Sequence, residues 1–519
     1  MHPQRTRPAE QAKGTLERGI FQASRYVTPP IIATLIIWAT GTGRATLPQI
    51  LLSHLLLQLA WGYWVYWKQK PDGEKDFPLF TAIATMYWLA YGMPVFWNLQ
   101  DAWTFRNTRP LTEGGVTRSL TLALVAVVSL LVGMHLGIFR RLRHAPMLDL
   151  RDARISPKYV AIVMLLGPLL SNSSMTYVFG SGLRQVMVIL RSTVPQAAFA
   201  ILLRRRLLRP VPPFERVALI IFIALTIGMG VASGWIGTGA GVMVIAGSVL
   251  VDTRFKVPKS ALALAFAFAI FLQPAKEQFR SQYWGAERET TQAHRATDWV
   301  TSALHHWEAT LSDSNPAAFR DTLYSSVARF SLMQQTANVM EVTPSVIPYQ
   351  GSFMYRYMAV TVIPRALWPD KPSVNEANRF YQVTYGLTSE RNLDGVSISV
   401  GVAAESYIAY GWFGTVGIMM LIGVVLDGIA TVCLARNSGV LMKGIGLALV
   451  PSLVGIEAQM AQYLGGLLQQ ALVTIAVMLP IVQVRRRVPS FGRFLRRPMR
   501  VPATPRRMLG AVRAPQATR

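Results

Sequence analysis

Arg184 and Arg191 stand seven residues apart around the start of an apolar stretch. Seven residues is nearly two helical turns, so both project from one helix face, about 10 Å apart along the axis. A guanidinium offers a planar donor fork that grips phosphate oxygens bidentately, and two on one face suit a diphosphate. An arginine at mid-membrane costs roughly 2.5 to 3.5 kcal/mol on insertion scales, so Arg191, the deeper of the two, needs a partner, an aqueous cavity or a snorkelling route to the headgroups. Few carboxylates lie at similar depth. Glu405 and Glu457 fall towards the same side of the chain's apolar segments and can meet the arginines as ion pairs or act as a general base, with pairing the first expectation. Asp427 reads as an interface residue at the other side.

The elements that must position these residues follow from composition. The 519 residues are 51% hydrophobic and only 15% charged, which excludes a disordered chain and argues against an ordinary soluble globule. Apolar residues gather into runs of the length a helix needs to cross hydrocarbon. Twelve are expected, near 28–46, 47–67, 77–97, 119–139, 159–180, 185–203, 217–234, 236–252, 260–275, 407–434, 438–456 and 463–483. The fold class expected is therefore an all-α polytopic membrane protein. The first run lacks a small-residue cleavage site and reads as an anchor rather than a removed signal peptide. Trp61, Trp64, Trp67, Trp88 and Trp97 mark interfaces.

The net charge of +26 would suggest nucleic acid in a soluble chain. Here topology accounts for it. Of the 52 Lys and Arg, 35 lie on one side if the N-terminus is cytoplasmic, 11 belong to one long loop, and 6 remain. The positive-inside rule then puts both termini in the cytoplasm. The parts expected are a cytoplasmic arm (1–27), spans one to nine (28–275), an extracytoplasmic loop (276–406), spans ten to twelve (407–483) and a basic cytoplasmic tail (484–519). The tail, with eleven Arg and no acid, reads as a contact for anionic lipid. The single Cys433 cannot form an intrachain disulfide. Residues 277–405 carry 13 acidic and 10 basic side chains and contain windows, 324–333 and 353–364, with the spacing of amphipathic helices. The loop has no metal signature beyond the lone pair His305-His306, and no Gly-rich phosphate loop follows a strand.

The string Gly351-Ser-Phe-Met-Tyr-Arg-Tyr-Met-Ala-Val-Thr-Val-Ile-Pro-Arg-Ala-Leu-Trp-Pro-Asp-Lys-Pro is followed after some thirty residues by Gly401-Val-Ala-Ala-Glu-Ser-Tyr-Ile-Ala-Tyr-Gly-Trp-Phe-Gly. Together the two resemble the bacterial O-antigen or oligosaccharide repeat-unit polymerases of the Wzy type. The resemblance implies a GT-C-like, metal-independent membrane glycosyltransferase with no cofactor. Such an enzyme moves a growing glycan from one undecaprenyl (polyprenyl) diphosphate to the non-reducing end of a single repeat unit on another. It implies a place in lipopolysaccharide or similar surface polysaccharide biosynthesis, in the bacterial inner membrane. The expected partners are polyprenyl-diphosphate-linked oligosaccharides, membrane lipids and a chain-length regulator, with no nucleic acid. On this reading Glu405, Arg191 and Arg365 are catalytic, Glu405 taking the acceptor proton and the arginines stabilising the leaving diphosphate. Arg184, Arg356 and Lys371 bind the anion, and Trp368 and Tyr355 stack on sugar rings.

Two other functions compete. An O-antigen ligase shares donor and architecture but transfers to a lipid A core sugar. A polysaccharide flippase or other transporter also needs many spans and buried arginines, though the nine-span, loop, three-span layout shows no internal symmetry.

Overall fold

The computed structural model describes residues 8–41, 44–96, 104–105, 109–139, 154–171, 180–283, 291–313, 316–328, 331–363, 368, 370–390, 393, 398–479 and 482–483. Each of the twelve apolar runs lies mainly in helix. In chain order these are α1 (Pro8–Thr40), α2 (Leu47–Gln69), α3 (Leu79–Phe96, ending in π and 3₁₀ turns), α4 (Glu113–His135), α5 (Pro157–Ser171), α6 (Gly180–Arg191), α7 (Thr193–Leu208), α8 (Pro213–Ala232), α9 (Ile236–Asp252) and α10 (Lys259–Leu272). The long loop adds α11 (Lys276–Tyr283), α12 (Gln292–Ser312), α13 (Pro316–Ala328), α14 (Met333–Val342), α15 (Arg356–Val362) and α16 (Glu376–Thr384). Then come α17 (Val402–Ile429), α18 (Val440–Leu453) and α19 (Ala461–Met478). The strands described are two-residue pieces: Thr104–Phe105 pairs antiparallel with Arg109–Pro110, and Arg154–Ile155 with Val482–Gln483.

Among the described residues six helical segments are long and apolar enough to cross a membrane: α3, α4, Gln185–Leu208 across α6 and α7, α8, Val402–Leu434 and α19. The protein is thus a helical transmembrane protein. A seventh candidate is the pair α10 and α11, bent by 58°. Three apolar runs, near α5, α9 and α18, give helices of 17 residues or fewer. At 1.5 Å per residue a 14-residue helix covers about 21 Å of a hydrocarbon layer about 30 Å thick. The shortening of α18 matters below, because its C-terminal end gives way to an irregular segment.

Local chemistry sets the helix ends. Thr112 Oγ1 accepts from Gly115 N–H at 2.9 Å at the start of α4, and Glu341 Oε1 on α14 accepts from the Thr112 backbone N–H at 2.8 Å. One side-chain cap and one carboxylate therefore satisfy donors that a helix start leaves open. They also dock α14 onto α4, and α14 is buried along most of its length. At the bend after α10, the indole N–H groups of Trp299 and Trp307 donate to the Leu272 and Phe271 carbonyls at 3.0 and 2.9 Å. Trp299 stacks on Phe279 within a small apolar core of its own, apart from the main one.

The main core is one apolar cluster shared by the membrane helices. Its tightest crossing is α4 against α17. A Cβ on Gly133 would collide with the Met420 carbonyl, and one on Gly423 with the Leu130 carbonyl. Small residues at a crossing let two backbones touch, which is how membrane helices gain packing without a hydrophobic driving force.

Candidate functional site

The site begins at a break in α17. Tyr410 (φ −142°, ψ 20°) and Gly411 (φ 65°, ψ −148°) leave the helical region, so Val402–Ala409 forms a short helix buried from end to end and the membrane helix resumes beyond Gly411. A break orphans the carbonyls before it. Here the Gln350 and Gly351 N–H groups donate to the Ile408 and Ala409 carbonyls, each at 2.9 Å. Broken helices at membrane depth persist only where such partners exist. Tyr349 packs edge-on against Tyr407, ring centroids 5.9 Å apart, and Tyr355 stacks parallel to Tyr410 at 6.4 Å. The two strings that carry the family resemblance are therefore in direct contact.

Glu405 lies in this short helix and is 1% exposed. Its Oε2 accepts from the Met460 backbone N–H at 2.6 Å, while Oε1 is buried with no hydrogen-bond partner among the described residues. Met460 begins the last helix, whose open N–H groups and positive dipole end favour a carboxylate. The segment that brings it there, 454–459, follows the C-terminal end of α18. The Val402 N–H donates back to the Ile456 carbonyl at 3.3 Å. Gln459 Nε2 donates to the Val374 carbonyl at 3.0 Å and Gln462 Nε2 to Asn375 Oδ1 at 2.7 Å, so the start of α19 is also tied to the start of α16. Gln459 Oε1, like Glu405 Oε1, is a buried acceptor without a donor among the described residues.

Tyr355 completes the group. Burial first, and then the Glu405 carboxylate, hold its hydroxyl pKa well above the ordinary value, so it stays protonated. It also lies beside Ser406, whose own hydroxyl donates to the Val402 carbonyl at 2.8 Å. Ser406 acts on the Tyr355 hydroxyl as a hydrogen-bonding neighbour and partly offsets that rise. Buried polar atoms in native proteins are nearly always hydrogen-bonded, so a buried carboxylate oxygen in a cluster of polar groups calls for a functional explanation. A buried carboxylate oxygen and a protonated phenol at one helix junction can take a proton from, and hydrogen-bond to, a substrate hydroxyl.

The remaining candidates are spread around this junction. Arg356 opens α15, half-stacked over Phe353 with its guanidinium carbon 4.4 Å from the ring centroid, and donates to the Tyr357 hydroxyl at 3.0 Å. Lys371 Nζ donates to the Ile363 and Val360 carbonyls at 2.8 and 3.3 Å, closing the C-terminal end of α15. Trp368 is 40% exposed. Arg191 ends α6 where the chain turns at Ser192 into α7, and its half-buried side chain makes no ion pair among the described residues. Glu457 is exposed on the 454–459 segment. Arg365 and the side chain of Arg184 lie outside the described residues. Of the two arginines expected to pair with Glu405, Arg191 does not do so among the described residues; Glu405 accepts instead from the Met460 backbone at the start of the last helix.

Met460 and Gln459 escaped the sequence reading, since an amide donor at a helix start has no residue-type signature. A second missed cluster sits at the opposite ends of the helices. Asp252, at the end of α9, receives Lys443 Nζ and Arg204 Nε, each at 2.9 Å, with Lys443 1% exposed. The signal was present: a lysine inside an apolar run requires an acid at matching depth.

Residues 96–438 match the model of a family described as a domain of unknown function, DUF8712. The match takes in Tyr355, Glu405 and the Tyr410–Gly411 break but stops short of Met460. No curated protein and no solved structure matches the chain. With about two thirds of its length covered by that match, the chain belongs to the DUF8712 family.

Proposed function

We propose that this protein polymerises polyprenyl-diphosphate-linked oligosaccharide repeat units on the outer face of the bacterial cytoplasmic membrane, as a metal-independent glycosyltransferase with about twelve spans and a GT-C-like architecture. The observation that carries the reading is the buried Glu405 carboxylate with one oxygen held by Met460 and the other free, at the point where both polymerase-like strings meet. In the reaction the acceptor sugar hydroxyl gives its proton to Glu405 Oε1. Its oxygen forms the new glycosidic bond at the donor's anomeric carbon, and the bond from that carbon to the diphosphate oxygen breaks. The diphosphate leaves with its negative charge, which Arg191 and Arg365 stabilise electrostatically. Tyr355 lies near Glu405, whose charge helps keep its hydroxyl protonated and able to donate to a substrate oxygen.

Supplying purified protein with lipid-linked repeat units tests the proposal. Polymer ladders form, and because arginines rather than a cation hold the diphosphate, they survive chelation. Loss of ladders on chelation with recovery on adding a divalent ion contradicts the scheme. In cells lacking the protein, lipopolysaccharide carries single-unit caps if it is a polymerase, and no caps at all if it is a ligase.

A further inference from the structure

Three arginines at the turn between α7 and α8 have no part in the site above. Arg206, Arg209 and Arg216 are exposed and line one open cleft of about 390 Å³ together with Leu207, Leu208, Pro210 and Val211. Their neighbours are already paired: Arg204 with Asp252 at 2.9 Å, and Arg205 with Glu215 at 3.2 Å. Glu215 is the one acid between residues 204 and 216, and it is buried. It therefore cannot compensate the other three, and none of them makes an ion pair among the described residues. Leu208 of the lining, and Phe214 and Val217 on either side of Glu215 and Arg216 in α8, are exposed apolar side chains. The cleft thus combines uncompensated guanidinium forks with an apolar rim, at the junction of two transmembrane helices.

We infer that this cleft binds the phosphate headgroup of an anionic glycerophospholipid, with the acyl chains lying against Leu208, Phe214 and Val217. Arginines bind phosphate oxygens through paired N–H donors, and basic pockets at the ends of membrane helices hold anionic headgroups in this way. A free phosphate ion would use the arginines but would leave the apolar rim uncovered. General attraction of the basic loops to the membrane needs neither a cleft nor a rim.

Native mass spectrometry of the whole protein in detergent, titrated with phosphatidylglycerol or phosphatidylcholine, tests the inference. One phosphatidylglycerol should be retained in preference to phosphatidylcholine. Its apparent affinity should fall roughly fivefold for each arginine removed, through R216Q to the triple variant R206Q/R209Q/R216Q. The three side chains are exposed, so a melting temperature like that of the unchanged protein is expected to confirm folding, and the graded single variant keeps the test open if the triple variant is unstable. Replacing Arg485, Arg486 and Arg487 of the basic tail by Gln should leave the retained lipid in place. Equal retention by the arginine variants, or loss only on changing the tail, overturns the site. Displacement of the lipid by glycerol phosphate at equal concentration reassigns it to free phosphate and overturns the lipid assignment.

Discussion

Glu405 and Met460 lie 55 residues apart and are joined by one 2.6 Å hydrogen bond, the carboxylate of a short buried helix accepting the N–H that opens the last membrane helix. The helices around this bond are irregular. α18 stops at Leu453, α17 breaks at Tyr410, and α19 begins with a π turn over Ala461–Gly465. π turns inside helices gather at functional sites, and here three irregularities meet around one carboxylate.

Gly411→Ala should disrupt this junction. Gly411 has φ +65°, and an added Cβ would come within 2.7 Å of the Tyr349 hydroxyl oxygen. Left-handed backbone alone costs a residue with a Cβ roughly 1–2 kcal/mol, before Tyr349 has to move. Gly417→Ala, in the same helix with nothing within 4 Å of its Cβ, should be close to neutral. Thermal unfolding of both variants in detergent measures the contrast.

The buried triad at the other ends of the helices should respond asymmetrically. Asp252→Asn leaves Lys443 and Arg204 facing each other without an anion and should cost about 3–5 kcal/mol. Lys443→Met keeps the Arg204–Asp252 pair and replaces a buried cation by an apolar chain, so it should cost far less. Unfolding in denaturant ranks the two, and similar losses would contradict the assignment of Asp252 as the shared anion.

Arg191 separates headgroup contact from diphosphate binding. If it only snorkels, Arg191→Lys works nearly as well, since the point charge still reaches the interface. As a diphosphate ligand it loses the second donor of the fork, and polymer yield should fall by about one to two orders of magnitude, since a charge-assisted contact is worth roughly 1.5–3 kcal/mol. Polymer ladders at matched membrane levels give the answer.

The helical architecture was legible in the sequence because hydrocarbon imposes a length and an apolarity that composition reveals directly. Each of the twelve runs is largely helix, but length alone could not show that α18 would stop at 14 residues and give way to an irregular segment before Met460. Glu405 and Tyr355 were legible as residue types in specific strings. Their meeting was not, because it rests on backbone donors of Gln350, Gly351 and Met460. Lys371 shows the converse: a cation read as an anion binder donates to the two carbonyls that end α15.

The most direct test of the central claim is Glu405→Gln, measured as turnover of lipid-linked repeat units by purified protein. A glutamine carbonyl can still accept the Met460 N–H, so the junction and the melting temperature should hold. It has no basicity, so turnover should fall by about 10²- to 10⁴-fold, the usual contribution of a general base. Glu405→Ala, which loses the cap as well, should lower both stability and turnover. Full turnover by Glu405→Gln would leave Glu405 as a helix cap alone and contradict its role as the base.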